Sequence, residues 1–196
     1  MIEESADAAP DPEPAGQVER QTAPFMRWVR AALRDLFGTI LPAVVIALLI
    51  HLFLAQATRV YGSSMQPNLR TNERLVVEKL SYRFHAPERG DIVVLRDPDG
   101  GPDLLIKRVI GLPGERVTVA EGRVYVDGVA LDEPYLNQAT NGSGRSWFVP
   151  PLNVFVMGDN RGASRDSRVF GPVPLDSLVG RAVLRYWPLD ELAVIP

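Results

Sequence analysis

A long apolar segment near the N-terminus is the strongest constraint on the fold of this 196-residue chain. From Leu36 to Ala57 the residues are almost all apolar, and His51 is the only titratable one. In a helix that rises about 1.5 Å per residue, about 20 apolar residues cross the ~30 Å hydrocarbon core of a bilayer. The segment is too long and too apolar for a buried helix of a soluble protein, and too long for the core of a cleaved signal peptide. The sequence therefore predicts a transmembrane helix over residues 36–57.

Positive charge flanks this predicted span unevenly. Three arginines lie in the juxtamembrane segment 25–35, whereas only Arg59 follows the span closely. Because basic residues accumulate on the cytoplasmic side of membrane proteins, we expect a cytoplasmic N-terminus, with residues 58–196 on the outer face of the inner or plasma membrane. Residues 1–24 are rich in Glu, Asp, Ala and Pro, a composition that predicts a disordered cytoplasmic tail.

The part of the chain beyond the span is predicted to be mainly β. Short apolar or alternating runs are separated by turn residues, and Asp127–Gly128 has the composition of a two-residue hairpin turn. The candidate strands are Arg74–Leu80, Ile92–Arg96, Leu104–Ile110, Arg116–Val119, Arg123–Val126, Val129–Leu131, Val154–Met157 and Ala182–Tyr186. The expected fold is one N-terminal transmembrane helix followed by a mixed, coiled or barrel-like β domain.

Composition excludes several classes of site. The chain has no cysteine, which excludes disulfides, thiolate metal sites and a cysteine nucleophile. Its two histidines are His51 in the apolar segment and His85, so the outer part has no multi-histidine metal site and only one histidine for a Ser-His-Asp triad. A net charge of −3 gives no indication of nucleic-acid binding.

Lysine is rare in this chain, since Lys79 and Lys107 are the only two. Lys107 lies in the apolar run 104–110, where the alternation of a strand places it on one face with other apolar side chains. Burial disfavours the charged ammonium and lowers the pKa of a lysine from its usual value of about 10.4. A lysine that is neutral near the working pH can act as a general base.

A general base needs a nucleophile, and Ser64 lies in the segment Gly62–Pro67, shortly after the apolar span. A serine hydroxyl becomes a good nucleophile when a neighbouring base removes its proton. Taken alone, such a segment is typical of a surface loop. A single lysine in a strand, such as Lys107, is usually one whose amine reaches solvent. Together the two residues suggest a membrane-tethered serine hydrolase with a lysine base.

Four segments of the chain, in order, resemble the sequence boxes of bacterial type I signal peptidases, the membrane-bound serine endopeptidases with a Ser/Lys dyad. These segments are Ser64–Leu69 (SMQPNL), Arg89–Val94 (RGDIVV), Lys107–Glu115 (KRVIGLPGE) and Gly158–Arg168 (GDNRGASRDSR). The first is similar to Ser-Met-x-Pro-Thr-Leu, with Asn68 in place of the usual threonine. The resemblance extends from the apolar span to about Trp187, and implies that residues 58–196 form a β-rich peptidase domain.

The resemblance implies roles for individual residues. Ser64 would be the nucleophile and Lys107 the general base, while Ser164 would hydrogen-bond to the lysine amine and orient it. Two ion pairs would brace the loop behind the site, Asp159 with Arg108 and Asp166 with Arg168. The oxyanion would bind backbone N–H groups, that of Ser64 first. Many relatives add the hydroxyl of a serine two residues earlier, where this chain, like a subset of the family, has Gly62.

Substrate binding is also implied by the resemblance. An extended peptide would add along a strand edge, with small residues such as Ala at −1 and −3 in two narrow apolar pockets. The walls of these pockets would be Val60, Met65, Leu69, Leu75, Val94, Leu105 and Ile106. The expected partners are signal peptides of exported preproteins and the lipid bilayer, with no cofactor, metal or nucleic acid, and the sequence does not indicate an oligomeric state.

Two alternatives stay open at the level of the sequence. A specialised peptidase of the same clan, maturing pilins or conjugation factors, would keep the same dyad, and cleavage of a panel of preproteins would separate it from a general enzyme. A non-enzymatic, membrane-anchored β module that binds partners would leave Ser64 and Lys107 incidental. Absence of labelling by a serine-reactive acylating inhibitor would favour that module.

Overall fold

The computed structural model describes residues 23–49, 55–142 and 144–195. The chain divides into two compact units, Met1–Ile46 and Ala47–Pro196. Most of the predicted disordered tail lies outside the described residues, so that prediction stays untested.

The N-terminal unit is helical. Helix α1 (Ala23–Asp35) continues through a π-helical turn (Leu36–Ile40) into helix α2 (Leu41–Leu49). By length and composition alone, residues 25–48 could cross a membrane, and none of this stretch is buried within the protein. The helix therefore begins before the predicted span.

The C-terminal end of the predicted span differs from the structure. Residues 50–54 lie outside the described part, and Ala55–Ala57, predicted to end the transmembrane helix, instead lie in the first strand. In this strand Gln56 pairs with Val77 and Ala57 with Val76. Composition could not predict this change from helix to strand, because a continuous apolar run is typical of helices and of strands alike.

The second unit is built from short strands. In chain order they are β1 (Ala55–Arg59), β2 (Arg74–Glu78), β3 (Ile92–Arg96), β4 (Leu104–Gly111), β5 (Arg116–Ala120), β6 (Arg123–Val126), β7 (Val129–Ala130), β8 (Arg145–Phe148), β9 (Asn153–Met157), β10 (Val173–Pro174), β11 (Leu178–Trp187) and β12 (Ala193–Val194). Two one-turn helices, α3 (Ser81–Phe84) and α4 (Ser167–Phe170), and two 3₁₀ turns, Leu175–Ser177 and Leu189–Glu191, lie between strands.

These strands form two sheets. The larger has the order β1-β2-β11-β3-β4-β9-β10, with β12 paired to β11, and the smaller has the order β7-β6-β5-β8. All pairings between the described strands are antiparallel. Register shifts between β11 and its neighbours β2 and β3, and between β4 and β9, mark bulges that bend strands and increase their twist. The predicted fold class, a mainly β domain after one apolar helix, is confirmed.

Alternating apolar residues explain where the core lies. In β3, Ile92 and Val94 pack into one cluster, whereas Val93 and Leu95 pack into another on the opposite face. A third cluster joins the two sheets, with Ile110 of β4 packed among residues of the smaller sheet. The central strands β3 and β4 are therefore buried on both faces, which gives any polar side chain that they carry a largely dry environment.

In the smaller sheet the predicted hairpin is confirmed, whereas one strand was not predicted. The predicted hairpin turn joins β6 and β7, and Asp127 and Gly128 both have positive φ, as a two-residue turn of this kind requires. Strand β8 was not predicted, because its first residues belong to a polar, glycine-rich stretch. Its pairing with β5, Trp147 opposite Val117, makes it a strand.

Candidate active site

Strand β4 carries Lys107 into the interior of the domain. Its side chain is 3% exposed, and it lies opposite the fully buried Val93 of β3. The Nζ of Lys107 donates hydrogen bonds to the Oγ of Ser64 at 2.9 Å and to the carbonyl oxygen of Ile106 at 3.0 Å. The structure thus brings the candidate base and the candidate nucleophile into direct contact, at a distance suited to proton transfer.

The surroundings of Lys107 favour its neutral form. Burial has the largest influence and lowers the pKa of Lys107 to about 8. The carboxylates of Asp166, Asp159 and Asp97 act in the opposite direction, because they stabilise the ammonium form. The guanidinium of Arg165 lowers this pKa further by repelling the ammonium. At mildly alkaline pH a substantial fraction of the amine is therefore unprotonated and can accept a proton.

The segment around Ser64 is held through its backbone. The N–H of Asn160 donates to the carbonyl oxygen of Ser64 at 2.9 Å, and the Asn160 side chain donates to the carbonyl oxygen of Ser63 at 3.1 Å. The hydroxyl of Thr71 donates to the carbonyl oxygen of Gly62 at 2.7 Å. These bonds leave the Ser64 hydroxyl free for the lysine, while its backbone cannot easily move.

A buried ion pair braces the site from behind β4. Asp159 is 1% exposed and accepts two hydrogen bonds from Arg108, from Nε at 2.9 Å and from Nη2 at 2.7 Å. Such a bidentate, desolvated pair has a fixed geometry. Since Arg108 follows Lys107 directly in β4, the pair fixes the catalytic loop (residues 158–168) against the strand that carries the candidate base.

A second ion pair lies within the same loop. Asp166 accepts hydrogen bonds from the Nε and Nη2 of Arg168, each at 2.8 Å, and from the N–H of Gly158 at 3.0 Å. Burial alone would raise the pKa of Asp166, but the bonds and charge of Arg168 outweigh it and lower that pKa. The ionised carboxylate thus ties the end of the loop to its beginning.

The hydrogen bonding of Ser164 differs from the prediction. Its Oγ is buried, and the expected bond to the Lys107 amine is not present among the described residues. The donors of the amine are directed instead at Ser64 and at the carbonyl oxygen of Ile106. Ser164 packs against Gly158, at the point where this glycine meets the backbone of Ser64.

An open cleft of about 700 Å³ leads to the dyad. One wall is formed by residues 57–59, 61 and 62, in and after β1, and the other by residues 102–107, at the start of β4. Ser64 and Lys107 are both among the residues that line the cleft. A peptide lying in the cleft would therefore contact the nucleophile.

The residues predicted to form the substrate pockets fall into two groups. Leu105 and Ile106 line the cleft. The other five belong to the hydrophobic core cluster that adjoins it: Val60, Met65, Leu69, Leu75 and Val94, each no more than 3% exposed. Ile106 belongs both to this cluster and to the lining of the cleft, so membership of the cluster does not test the predicted pocket role of the five, which stays a prediction.

Gly62 lies in the wall of the cleft with a φ of +78°. Residues with a Cβ rarely adopt this left-handed conformation without strain, so the backbone here suits glycine. A serine at this position would therefore adopt a strained backbone conformation.

One buried residue of the loop was not singled out in the sequence. Arg161 is 2% exposed and donates from Nη2 to Glu133 at 2.5 Å, from Nη1 to the hydroxyl of Thr140 at 2.6 Å, and from Nε to the carbonyl oxygen of Gly158 at 3.1 Å. These contacts anchor the segment 133–140 on the catalytic loop. No local pattern signals such partners, because they lie far apart in the sequence.

Comparison with known proteins gives consistent matches. The family model described as "Signal peptidase, peptidase S26" matches residues 33–187. The chain is 40% identical over 182 residues to "Probable signal peptidase I-2" of Synechocystis sp., covering 90% of this chain and 81% of that protein. It is 40% identical over 190 residues to "Signal peptidase I" of Leptolyngbya laminosa, covering 93% of this chain and 90% of that protein. A crystal structure of a signal peptidase I from Enterococcus faecalis V583 is 35% identical, covering 50% of this chain and 98% of that one, with a TM-score of 0.45.

Proposed function

The chain belongs to the signal peptidase family, peptidase S26, and we propose that Ser64 and Lys107 carry out its reaction. It is a serine endopeptidase that cleaves signal peptides from preproteins. The observation that carries the proposed roles is the 2.9 Å hydrogen bond between the Lys107 Nζ and the Ser64 Oγ. The family and the named relatives do not favour a specialised maturation peptidase or a non-enzymatic binding module.

The proposed mechanism is acyl transfer through a covalent intermediate. The neutral Nζ of Lys107 takes the hydroxyl proton of Ser64 as the Oγ attacks the carbonyl carbon of residue −1. The same proton then passes to the leaving amine of residue +1, and an ester between Ser64 and the signal peptide remains. Lys107 next takes a proton from a water molecule as the water attacks the ester carbon. The bond between this carbon and the Oγ then breaks, the proton passes from Lys107 to the Oγ, and the signal peptide leaves with a new C-terminal carboxylate.

Charge on the carbonyl oxygen develops during both attacks and needs hydrogen-bond donors. We assign this role first to the backbone N–H of Ser64, whose segment is fixed by Asn160. With Gly62 two residues earlier, no side-chain hydroxyl is available at that position. A rigid backbone supports the assignment, since preorganised donors stabilise an oxyanion better than mobile ones.

The substrate would bind as an additional strand. Among the described residues, β1 pairs only with β2, and β9 pairs with β4 at Arg108 and beyond but not at Leu104–Lys107. The unpaired edge of β1 and the unpaired edge of β4 at Leu104–Lys107 both belong to segments that line the cleft. An extended peptide could bind these backbone groups, and the branched walls Leu105 and Ile106 would favour small side chains at −1 and −3.

Membrane anchoring through the N-terminal helix would bring the enzyme to its substrates, because preproteins carry their own apolar segment into the same bilayer. We propose that the N-terminus is cytoplasmic and that the peptidase domain acts on the outer face of the cell membrane. The arginines of residues 25–35 support this orientation by the positive-inside rule.

This orientation predicts a protection pattern. Protease added to the outside of spheroplasts should digest the β domain and leave a protected N-terminal fragment of roughly 35 residues plus the membrane span. Tags at the two termini, detected by immunoblotting, would identify the fragments. Protection of the C-terminal tag and loss of the N-terminal tag in intact spheroplasts would contradict the proposal.

The nucleophile assignment is tested by covalent labelling. A serine-reactive acylating inhibitor should label the wild-type enzyme at one residue, which peptide mass spectrometry should identify as Ser64. Ser64→Ala should abolish the label, and Ser63→Ala, which removes a neighbouring hydroxyl, should retain it. Labelling of another residue, or persistence of the label in Ser64→Ala, would refute the assignment.

A further inference from the structure

Asn68 occupies a central position in the hydrogen-bond network behind the dyad. It lies four residues after Ser64, and its side-chain Nδ2 donates to the carboxylate of Asp159 at 2.8 Å and to the carbonyl oxygen of Tyr135 at 2.9 Å. Both N–H bonds of the amide are thereby used. The carboxylate oxygen that accepts from Asn68, Oδ2, also accepts from Arg108 at 2.7 Å.

The partners of Asn68 are themselves held firmly. The guanidinium carbon of Arg108 lies 4.1 Å from the centre of the Tyr135 ring, within the range of a cation–π interaction. The hydroxyl of Tyr135 donates to Glu133 at 2.7 Å, and Glu133 is ion-paired with the buried Arg161. Asn68 therefore donates to groups whose positions are fixed by buried charges.

Residues 159 and 160 thus hold the nucleophile segment at two places. Asn160 binds the carbonyl oxygens of Ser63 and Ser64, at the beginning of the segment. Asp159 binds the side chain of Asn68, near its end. Because Asp159 is also paired with Arg108, the neighbour of Lys107 in β4, Asn68 links the segment that carries the nucleophile to the strand that carries the base.

We infer that Asn68 is a positioning residue, which keeps the Ser64 hydroxyl aligned with the Lys107 amine through Asp159 and Arg108. The inference rests on the proposed roles of Ser64 and Lys107. Hydrogen bonds to an ionised, buried carboxylate are stronger and shorter than neutral ones. Loss of this bond removes one restraint on the nucleophile segment, and misplacement of reacting groups by about 1 Å lowers the rate by about a hundredfold.

The test measures reactivity per folded enzyme. Full-length wild type, Asn68→Ala and Asn68→Thr are purified in detergent, and acylation by a serine-reactive inhibitor is followed for its rate and for its final stoichiometry. For Asn68→Ala we expect the wild-type stoichiometry, an acylation rate and a kcat lower by about ten- to a hundredfold, and a KM within about twofold. Asn68→Thr, which keeps one donor, should recover part of the rate.

The matched control is Asn137→Ala. Asn137 is exposed, and its side chain makes no hydrogen bond within the described residues, so this variant should acylate at the wild-type rate. A wild-type acylation rate in folded Asn68→Ala would overturn the inference. A reduced stoichiometry of acylation with an unchanged rate per active site would also overturn the inference, because that result indicates a role in stability alone.

Two further outcomes are informative. If Asn68→Ala is not recovered in folded form, Asn68→Ser replaces it, since the shorter serine cannot reach both partners, and a wild-type rate in that variant would equally overturn the inference. If the wild-type enzyme is labelled at a residue other than Ser64, the proposed mechanism fails independently of any result at Asn68.

Discussion

Replacement of either member of the dyad should abolish processing. We expect Ser64→Ala and Lys107→Ala each to lower kcat/KM on a preprotein by at least about 10³-fold, because members of a nucleophile–base unit act together. Lys107→Arg should be equally inactive, since a guanidinium does not lose its proton in a protein. The measurement is cleavage of a purified preprotein, followed by gel shift.

Ser63→Ala is the matched control for these variants. Ser63 adjoins the nucleophile, but only its backbone carbonyl makes hydrogen bonds among the described residues. Its kcat/KM should stay within about threefold of wild type, as for a surface substitution. Cleavage by Ser64→Ala at the wild-type rate would contradict the mechanism outright.

A single added methyl group at Gly158 should be almost as damaging. A Cβ at this position would lie 2.5 Å from the carbonyl oxygen of Ser64 and would also collide with the Oγ of Ser164. A backbone oxygen cannot rotate away, so Gly158→Ala must displace the nucleophile segment or the catalytic loop. We expect a loss of about 10²-fold or more in kcat, because misplacement by about 1 Å has effects of that size.

Gly162→Ala provides the comparison within the same loop. A Cβ at Gly162 would be 3.6 Å from the Asn141 side chain, an ordinary van der Waals contact. This variant should keep a kcat within about threefold of wild type and a similar melting temperature. Equal activity of the two variants would show that the contact between Gly158 and Ser64 does not control the position of the nucleophile.

The sequence was most informative about features that are encoded by short, continuous motifs. The four boxes identified Ser64 and Lys107 without any knowledge of the fold, and the structure brings the two side chains together from separate elements. Strand β3 was predicted with its observed bounds, because its apolar run is short and ends at a charged residue. The burial that lowers the pKa of Lys107 likewise follows from its apolar strand.

The remaining features depend on contacts between distant residues. Asn68 and Asp159 lie 91 positions apart, and Arg161 and Glu133 lie 28 apart, so no periodicity or motif connects them. The roles of the residues predicted to line the substrate pockets depend on such contacts as well. Apolar side chains near the site, such as Met65 and Leu75, are equally suited to a pocket wall and to the core, and only packing decides between the two.

The charge state of Lys107 is the centre of the mechanism, and it can be altered from a neighbouring position. In Leu105→Asp a carboxylate on the same strand should favour the ammonium form and raise the pKa of Lys107. The acidic limb of the activity profile should then move to higher pH. Because Leu105 also lines the cleft, the position of the limb is diagnostic, whereas the height of the curve is not.

The most direct measurement is the pH dependence of kcat/KM for the wild-type enzyme on a peptide with Ala at −1 and −3. Since a pKa of about 8 leaves the lysine protonated in acid, activity should fall about tenfold per pH unit below that value and level off above it. We predict one acidic limb centred near pH 8. A limb near the ordinary lysine value of about 10.4 would contradict a buried, neutral Lys107 as the base.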